Sequence, residues 1–456
     1  ALPILLTPLC LLLLLLLGRA AKAKVFETHE RAVLLGFAAF YFVIQLVMAS
    51  ALRFTPVTDL EQCVTAARRL AQTGAFGDSE RSLIYFGRYP HNMGLVYLLA
   101  GIFKAADALG ADELMAAALV CGLLFSMGLL CAARLCRRLG GAQAQARALL
   151  LFATCLPFLY CTSELYTDAF SVAFAPMIVF AFLNARNAGS RKERALWALL
   201  FAVCTFFGAQ IRFPTIIATI ACLIAALFEK RAKLTALLAA PLALVFAVGG
   251  SAVNAANKAN LGAANIAQNK LPKLHYIAMG LPVQSDEGYG QYGYGGWLIF
   301  STSFDDPQAR DEALRQEVVD RAYTLAHHPA QLLSTLSRKN LSTFGRGTFN
   351  LNEIFEADAH EADNAVKQAV FENGRFNRAY THLATAMFVA QMALACIACI
   401  QAIRRRDTRA APLFLTLLGA FLFLSIWETR ARYFFQFMMI LLCAGAMFET
   451  PSTHAA

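Results

Sequence analysis

Residues 114–138, LMAAALVCGLLFSMGLLCAARLCRR, decide the fold. Twenty uncharged and mostly apolar residues are followed by three arginines within five positions. A helix of about 20 apolar residues spans the hydrocarbon core of a bilayer. Lys and Arg concentrate in the cytoplasmic loops of membrane proteins. The stretch therefore predicts a membrane-spanning helix whose basic end, residues 134–138, lies in the cytosol.

The composition of the whole chain is that of a membrane protein. Hydrophobic residues make up 58% of its 456 residues and charged residues 15%, and the mean hydropathy is +0.52. The net charge of +10 comes largely from short basic clusters between apolar runs, such as RRRDTR at 404–409. This positive-inside pattern argues against a nucleic-acid partner and for a lipid bilayer as the surroundings.

The apolar runs predict an all-α polytopic membrane protein with about eleven crossings. These runs begin near Ala1, Ala32, Leu114, Arg147, Ala169, Ala195, Pro214, Leu234, Leu383, Pro412 and Tyr433. The first run has the length of a signal peptide. It lacks a preceding basic segment, however, and Arg19, Lys22 and Lys24 follow it, so we expect a retained helix.

Three regions are predicted along the chain. Residues 1–253 form an N-terminal transmembrane region with a first outer loop at 53–112, and residues 379–456 form the C-terminal transmembrane helices. The apolar segment 93–110 would invert every later loop if it crossed, so we expect an interfacial or re-entrant helix on the outer face. Residues 254–378 are polar and rich in Gly and Tyr, which predicts an extracytoplasmic domain containing an amphipathic helix at 305–326.

Acidic residues gather on the predicted outer face. Asp59 follows the second apolar helix and opens an amphipathic segment that ends at Gly74, so it is either a helix N-cap or a functional acid. Glu164 and Asp168 lie one helical turn apart at another outer boundary. Carboxylates at that depth are costly without a partner, which favours a functional role over a helix-start role.

Cationic and aromatic residues are predicted beside these acids. The sequence YFGRYPHN at 85–92 places Arg88, Tyr89 and His91 at the membrane surface, where they could hold a phosphate headgroup. Arg212 is expected to pair with an acid or with a lipid phosphate. The late outer turn, SIWETRARYFF at 425–435, carries Arg430 and Arg432 against the topological charge bias, which indicates anion binding.

In these motifs the chain resembles the GT-C superfamily of integral-membrane glycosyltransferases. The resemblance is to the users of polyprenyl-phosphate sugars, which are related to the protein O-mannosyltransferases and the lipid A aminoarabinose transferase. It rests on the outer-loop acid Asp59, the YP motif at 85–92, the second acidic turn ELYTD at 164–168 and the late outer loop. The stretches HYIAMGLP at 275–282 and KNLSTFGRGTFNLNEIF at 339–355 are similar to outer-loop motifs of bacterial envelope members.

The resemblance implies an inverting transfer of a monosaccharide from a polyprenyl-phosphate donor to an envelope acceptor, which is a glycan, a teichoic-acid-like polymer, a lipid or a protein. Asp59 would be the general base, and the donor phosphate would be held by cations at the outer surface. The candidate donor-binding residues are Arg88, Tyr89, His91, Arg212, Arg430 and Arg432. The Gly-rich loop at 288–297 would receive the acceptor through Tyr289, Tyr292, Tyr294 and Trp297, although loop packing explains these residues as well.

No cofactor is expected to be required. The first motif reads TDLE and the second reads ExxxD, and neither is the adjacent acidic pair that would hold a divalent metal between the two motifs. Two other classes of protein stay open. A transporter or lipid flippase would also carry charges at the membrane boundary, and a non-catalytic membrane subunit would use the outer domain for assembly.

Overall fold

The computed structural model describes residues 2–20, 27–52, 55–77, 79–351, 355–356 and 364–449. Lys22 and Lys24, which bear on the orientation of the first helix, lie outside these residues, and so do residues 352–354 of the motif at 339–355. Within the described part, seven helices are long and apolar enough to cross a membrane: Leu2–Arg19, Glu30–Leu52, Glu113–Ala153, Thr167–Asn187, Arg191–Ile211, Ala232–Leu261 and Asn377–Arg405. Three shorter apolar helices accompany them: Phe213–Phe228, Ala411–Ile426 and Ala431–Ala446. The all-α polytopic fold is therefore confirmed.

The predicted crossing that begins near Arg147 needs correction, because it is not a complete helix of its own. Helix Glu113–Ala153 turns back at Gly140 and Gly141, and Gly141 has a φ of 72°, a conformation that favours glycine. The returning half ends at Ala153. The chain then continues in two short 3₁₀ turns, Leu156–Leu159 and Cys161–Ser163. Pro157 lies in the first of these turns, and proline cannot donate the backbone hydrogen bond that a continuing helix requires.

Side chains of the helix Glu30–Leu52 satisfy the backbone carbonyls freed by this break. The Tyr41 hydroxyl donates to the carbonyl oxygen of Phe152 at 2.7 Å, and the Gln45 amide donates to that of Phe158 at 2.7 Å. Both side chains are buried. Irregular backbone inside a helical bundle is tolerated where protein groups replace the missing hydrogen bonds. The break is therefore compatible with a buried position, and it carries the chain to Glu164 and Asp168.

Both ends of the bundle carry charged residues, but in different arrangements. At one end, which we call the site end, the helices Glu30–Leu52, Arg191–Ile211 and Ala411–Ile426 finish and the turns of acidic and basic residues described below begin. At the opposite end lie basic clusters and their acidic partners. There Arg186 pairs with Glu229 at 2.8 Å, and Arg405 pairs with Glu449.

The first loop folds as three helices on the site end: Thr58–Thr73, Glu80–Arg88 and Met93–Ala108. Helix Met93–Ala108 corresponds to the segment that we expected to be interfacial, and it packs against Thr58–Thr73 and against the long helix that begins at Glu113. Gly94 is so close to the end of helix Arg191–Ile211 that an added Cβ would collide with the carbonyl oxygen of Gln210. This close packing fixes the loop against the bundle.

Residues 254–378, which we call the second polar region, are mainly helical in their described part, as predicted. Its helices are Ala263–Asn269, Lys273–Gly280, Trp297–Thr302, Pro307–His327, Pro329–Phe344 and Ala365–Val370, with a 3₁₀ turn at Ser285–Gly290. The predicted amphipathic helix is present as Pro307–His327, and the Asp306 carboxylate caps it by accepting from the backbone N–H groups of Gln308 and Ala309. The preceding helix, Ala232–Leu261, continues past the predicted boundary at 253.

A small antiparallel pairing joins the two polar regions. Strand Thr55–Pro56 pairs with strand Phe355–Glu356, with Thr55 opposite Glu356 and Pro56 opposite Phe355. Thr55 lies four residues before Asp59. The pairing therefore connects the start of the first loop, close to Asp59, with the end of the second polar region.

Candidate active site

Asp59 lies in the first turn of helix Thr58–Thr73, but it does not cap that helix. The N-cap residue is Val57, and no side chain caps the N-terminus. The Asp59 carboxylate instead accepts a hydrogen bond from the Tyr85 hydroxyl at 2.8 Å, and the Asn92 amide donates to the same hydroxyl at 2.9 Å. The Asp59 side chain is 40% exposed. Of the two roles left open by the sequence, the capping role is thus removed.

Asp168 is fully buried between two arginines. Its carboxylate lies 3.0 Å from a guanidinium nitrogen of Arg212 and 3.6 Å from one of Arg432. Arg212 also donates to the Thr167 hydroxyl at 2.6 Å. A buried carboxylate needs such compensation, because charges removed from water are costly unless they are paired. Arg212 therefore pairs with an acid, which was one of its two predicted partners.

Arg432 connects the two acidic motifs. Its guanidinium lies 3.9 Å from Asp59 as well as 3.6 Å from Asp168. It also packs over the ring of Tyr166 at 5.5 Å, while Arg212 packs over the ring of Tyr433 at 4.6 Å. The aromatic rings and the carboxylates together fix both guanidinium groups in position. We call Asp59, Glu164, Asp168, Arg212 and Arg432 the inner cluster.

Glu164 is the second buried acid of the inner cluster. It is 0% exposed, and its charge interacts with those of Asp168, Arg432 and Arg212. The next residue, Leu165, has a φ of 46°, and Thr58 beside Asp59 has a φ of 53°. A left-handed conformation is unfavourable for a branched residue and is found where surrounding structure enforces it, often at functional sites. Both acidic motifs are thus held in strained turns.

The late turn brings a third buried acid and a further arginine to the same place. Glu428 is buried and accepts a hydrogen bond from the Tyr433 hydroxyl, and burial raises the pKa of its carboxyl group. Arg430 donates to the backbone carbonyl of Tyr292 at 3.1 Å. The late turn is therefore attached both to the bundle and to the Gly-rich loop.

The YP motif lies between the inner cluster and the Gly-rich loop. The hydroxyl groups of Tyr89 and Tyr292 are 2.6 Å apart. Arg88 is half-buried, and its Nε has no hydrogen-bond partner within the described part of the chain. Desolvation by the surrounding protein lowers the pKa of the His91 ring to about 4. His91 is therefore neutral at pH 7 and offers a hydrogen bond rather than a charge.

The four aromatic residues predicted to receive an acceptor lie in different surroundings. Tyr289 and Tyr292 are half-buried, and Tyr294 is exposed. Trp297 is only 6% exposed and packs in a small core with Ala278, Met279 and Leu314. The Trp297 ring is therefore not open to a sugar in this conformation, and it stabilises the fold of the second polar region.

Several residues of the site were not singled out from the sequence. Tyr85 and Tyr166 hold Asp59 and Arg432, and Tyr433 contacts Glu428 and Arg212. Tyr85 lies four residues before Tyr89, so helical spacing alone could have placed both on one face. Among the residues that the structure describes, no group of three or more His, Cys, Asp and Glu side chains is arranged to hold a metal ion.

Fold and site together define an integral membrane protein that crosses the bilayer several times and concentrates buried charges at one end of its bundle. A family model described as a conserved hypothetical integral membrane protein matches residues 330–453. The match covers less than a third of the chain, and it includes the late turn with Glu428, Arg430 and Arg432. No curated protein matches the chain.

Proposed function

We propose that this protein is an inverting membrane glycosyltransferase. It would transfer a monosaccharide from a polyprenyl-phosphate donor to an acceptor hydroxyl on the extracytoplasmic side of the cell membrane. The observation that carries the proposal is the contrast between Asp59, whose carboxylate is 40% exposed, and the buried acids Asp168 and Glu164 in the same cluster. An open acid beside fixed guanidinium groups matches the needs of a reaction in which a hydroxyl loses a proton and a phosphate leaves.

Asp59 is the acid best suited to accept a proton. Asp168 is fully buried and lies between Arg212 and Arg432, so it has no access to an acceptor. Asp59 has one guanidinium at 3.9 Å and one hydroxyl donor at 2.8 Å. Its remaining surface is accessible, which a general base requires to reach the proton of an incoming hydroxyl.

The reaction is a single displacement. The acceptor oxygen attacks the anomeric carbon while the bond from that carbon to the phosphate oxygen breaks, and Asp59 takes the proton of the hydroxyl. Polyprenyl phosphate leaves with the electron pair of the broken bond, and the configuration at the anomeric carbon is inverted. The leaving phosphate gains negative charge in the transition state, so arginines already in place stabilise it without reorganisation.

The arginines serve this reaction in two ways. Arg212 and Arg432 are held by Asp168, which fixes both guanidinium groups at the base of the site. Arg88 and Arg430 lie further towards the Gly-rich loop, where Arg430 donates to Tyr292. These positions suit direct contact with the donor phosphate. The accessible tyrosines Tyr289, Tyr292 and Tyr294 would stack against the sugar of the acceptor or donor.

We further propose that transfer needs no divalent metal. A metal shared by the two acidic motifs would lie between Asp59 and Asp168. Arg432 lies within ion-pair distance of both carboxylates, so a cationic side chain already takes the role that such a metal would have.

The test is transfer of radiolabelled sugar from defined polyprenyl-phosphate monosaccharides to envelope extracts. We compare the purified wild-type protein with Asp59→Asn. Glu61→Gln is the matched control, because Glu61 is an exposed acid on the same helix. Wild type and Glu61→Gln should incorporate label, and Asp59→Asn should not. Full activity of Asp59→Asn removes Asp59 as the base, and no transfer by wild type from any donor favours a transporter, a flippase or a non-catalytic subunit.

A further inference from the structure

A cleft rich in arginine lies beside the proposed active site. It has a volume of about 510 Å³ and lies between helix Pro329–Phe344, the turn that follows it, the Gly-rich loop and the late turn. Its lining residues are Tyr289, Gln291, Arg338, Leu341, Ser342, Arg346, Asn350, Thr429, Arg430 and Ala431. We call it the arginine cleft. Only Arg430 of its three arginines was expected at a site from the sequence.

The lining of the arginine cleft is basic among the residues that the structure describes. Three of its ten lining residues are arginines, and none of the ten is Asp or Glu. Arg338 donates to the Tyr289 hydroxyl and packs over the Tyr289 ring at 5.0 Å. Arg346 donates to the side-chain oxygen of Asn350 at 3.1 Å. These partners are neutral, so they orient the two guanidinium groups without neutralising them.

The inner cluster differs from the cleft in this respect. Its two arginines lie within ion-pair distance of Asp59 or Asp168, so these carboxylates already compensate much of the positive charge. An incoming anion would meet repulsion from these carboxylates as well as attraction. In the arginine cleft Arg338 and Arg346 contact neutral partners, and arginine binds phosphate oxygens through paired hydrogen bonds.

We propose that the arginine cleft binds a phosphate group of a substrate. Its place in the reaction rests on the proposed glycosyl transfer. The cleft joins the site through Arg430, which donates to the Tyr292 carbonyl, and Tyr292 contacts Tyr89 of the YP motif. The phosphate is that of the donor lipid or that of a phosphate-bearing acceptor polymer. Leu341, 71% exposed at the lip of the cleft, offers an apolar contact that suits a lipid chain.

The test measures binding directly, without the transfer reaction. The probes are a short-chain polyprenyl monophosphate and a soluble glycerol-phosphate oligomer, each titrated by calorimetry into the full-length protein in detergent. The variants are Arg338→Gln, Arg346→Gln and the double substitution. Both side chains are exposed, so the fold should be kept. Arg315→Gln is the matched control, because Arg315 is 71% exposed on helix Pro307–His327 and does not line the cleft.

Each substitution in the cleft should weaken binding of one probe by about tenfold, and Arg315→Gln should leave it unchanged. Weaker binding of the lipid phosphate identifies the donor as the ligand, and weaker binding of the oligomer identifies the acceptor. The proposal is overturned if neither probe binds the wild type, or if a probe binds wild type and double variant equally. If binding depends on the two arginines but the protein shows no transfer activity, phosphate binding by the cleft is supported and the proposed glycosyl transfer is rejected. If transfer depends on Asp59 but the double variant binds both probes as the wild type does, glycosyl transfer is supported and phosphate binding by the cleft is rejected.

Discussion

Asp168→Asn isolates the charge of a fully buried acid with almost no change in shape. In the wild type the Asp168 carboxylate is 0% exposed and lies 3.0 Å from Arg212 and 3.6 Å from Arg432, which are themselves only 12% and 11% exposed. Removing one partner of a buried pair leaves an uncompensated charge and costs about 3–5 kcal/mol. Here two cations lose their shared partner while Arg432 keeps Asp59 at 3.9 Å, so we expect a loss of unfolding free energy within that range.

The assay is unfolding of the purified protein in mixed micelles, followed as a shift of the transition midpoint with increasing denaturing detergent. Glu113→Gln is the control, since it breaks an ion pair with Arg68 whose side chains are 43% and 29% exposed. A pair so open to solvent contributes only about 0–1 kcal/mol. Adding Arg212→Gln to Asp168→Asn should recover part of the loss, because one of the uncompensated cations is then removed. An unchanged midpoint for Asp168→Asn would refute the view that this carboxylate holds the two arginines.

Three further outcomes are expected. Tyr85→Phe removes the hydroxyl that donates to Asp59 at 2.8 Å. In steady-state transfer assays kcat should fall about tenfold while the KM for the donor stays unchanged. An unaltered kcat would contradict a positioning role for Tyr85. Burial lowers the pKa of Lys339 from 10.5 to about 7 in the folded protein. As the pH falls, Lys339 is therefore protonated in the unfolded chain before it is protonated in the folded protein. Wild-type stability should therefore decline from about pH 10.5 towards pH 7 and level off below it, and Lys339→Met should lose this component in midpoints measured across that range. Chelation by EDTA should leave transfer intact, whereas a loss reversed by Mg²⁺ or Mn²⁺ would show a metal requirement.

The sequence was sufficient for the fold because membrane insertion limits the choices. Apolar runs of fixed length and the distribution of basic clusters determine which helix ends meet. Asp59, Asp168, Arg212 and Arg432 come from four distant parts of the chain, and each was placed at the same boundary by this reasoning. Their convergence follows because all four lie just beyond or at the ends of helices that finish at one end of the bundle.

Other features depended on local contacts that no pattern in one sequence displays. Pro157 breaks a segment whose hydropathy is that of a complete crossing, and the structure tolerates the break only because Tyr41 and Gln45 supply hydrogen bonds. Trp297 follows a Gly-rich loop, where exposure is the usual expectation, yet it packs in a small core. Arg338 and Arg346 lie on or just after an amphipathic helix, whose basic residues ordinarily face water.

The different burial of the acids explains how one site can contain both a stable charge network and a reactive carboxylate. Arg432 contacts both Asp168 and Asp59, but Asp168 is shared with Arg212 and shielded from water, whereas Asp59 keeps an accessible surface. The buried acid therefore fixes the position of Arg432, and Arg432 in turn orients Asp59 without covering it. A lysine at position 432 would retain the charge but could not present a planar guanidinium to two carboxylates at once. The geometry of the arginine, rather than its charge alone, thus links the structural acid to the proposed catalytic one.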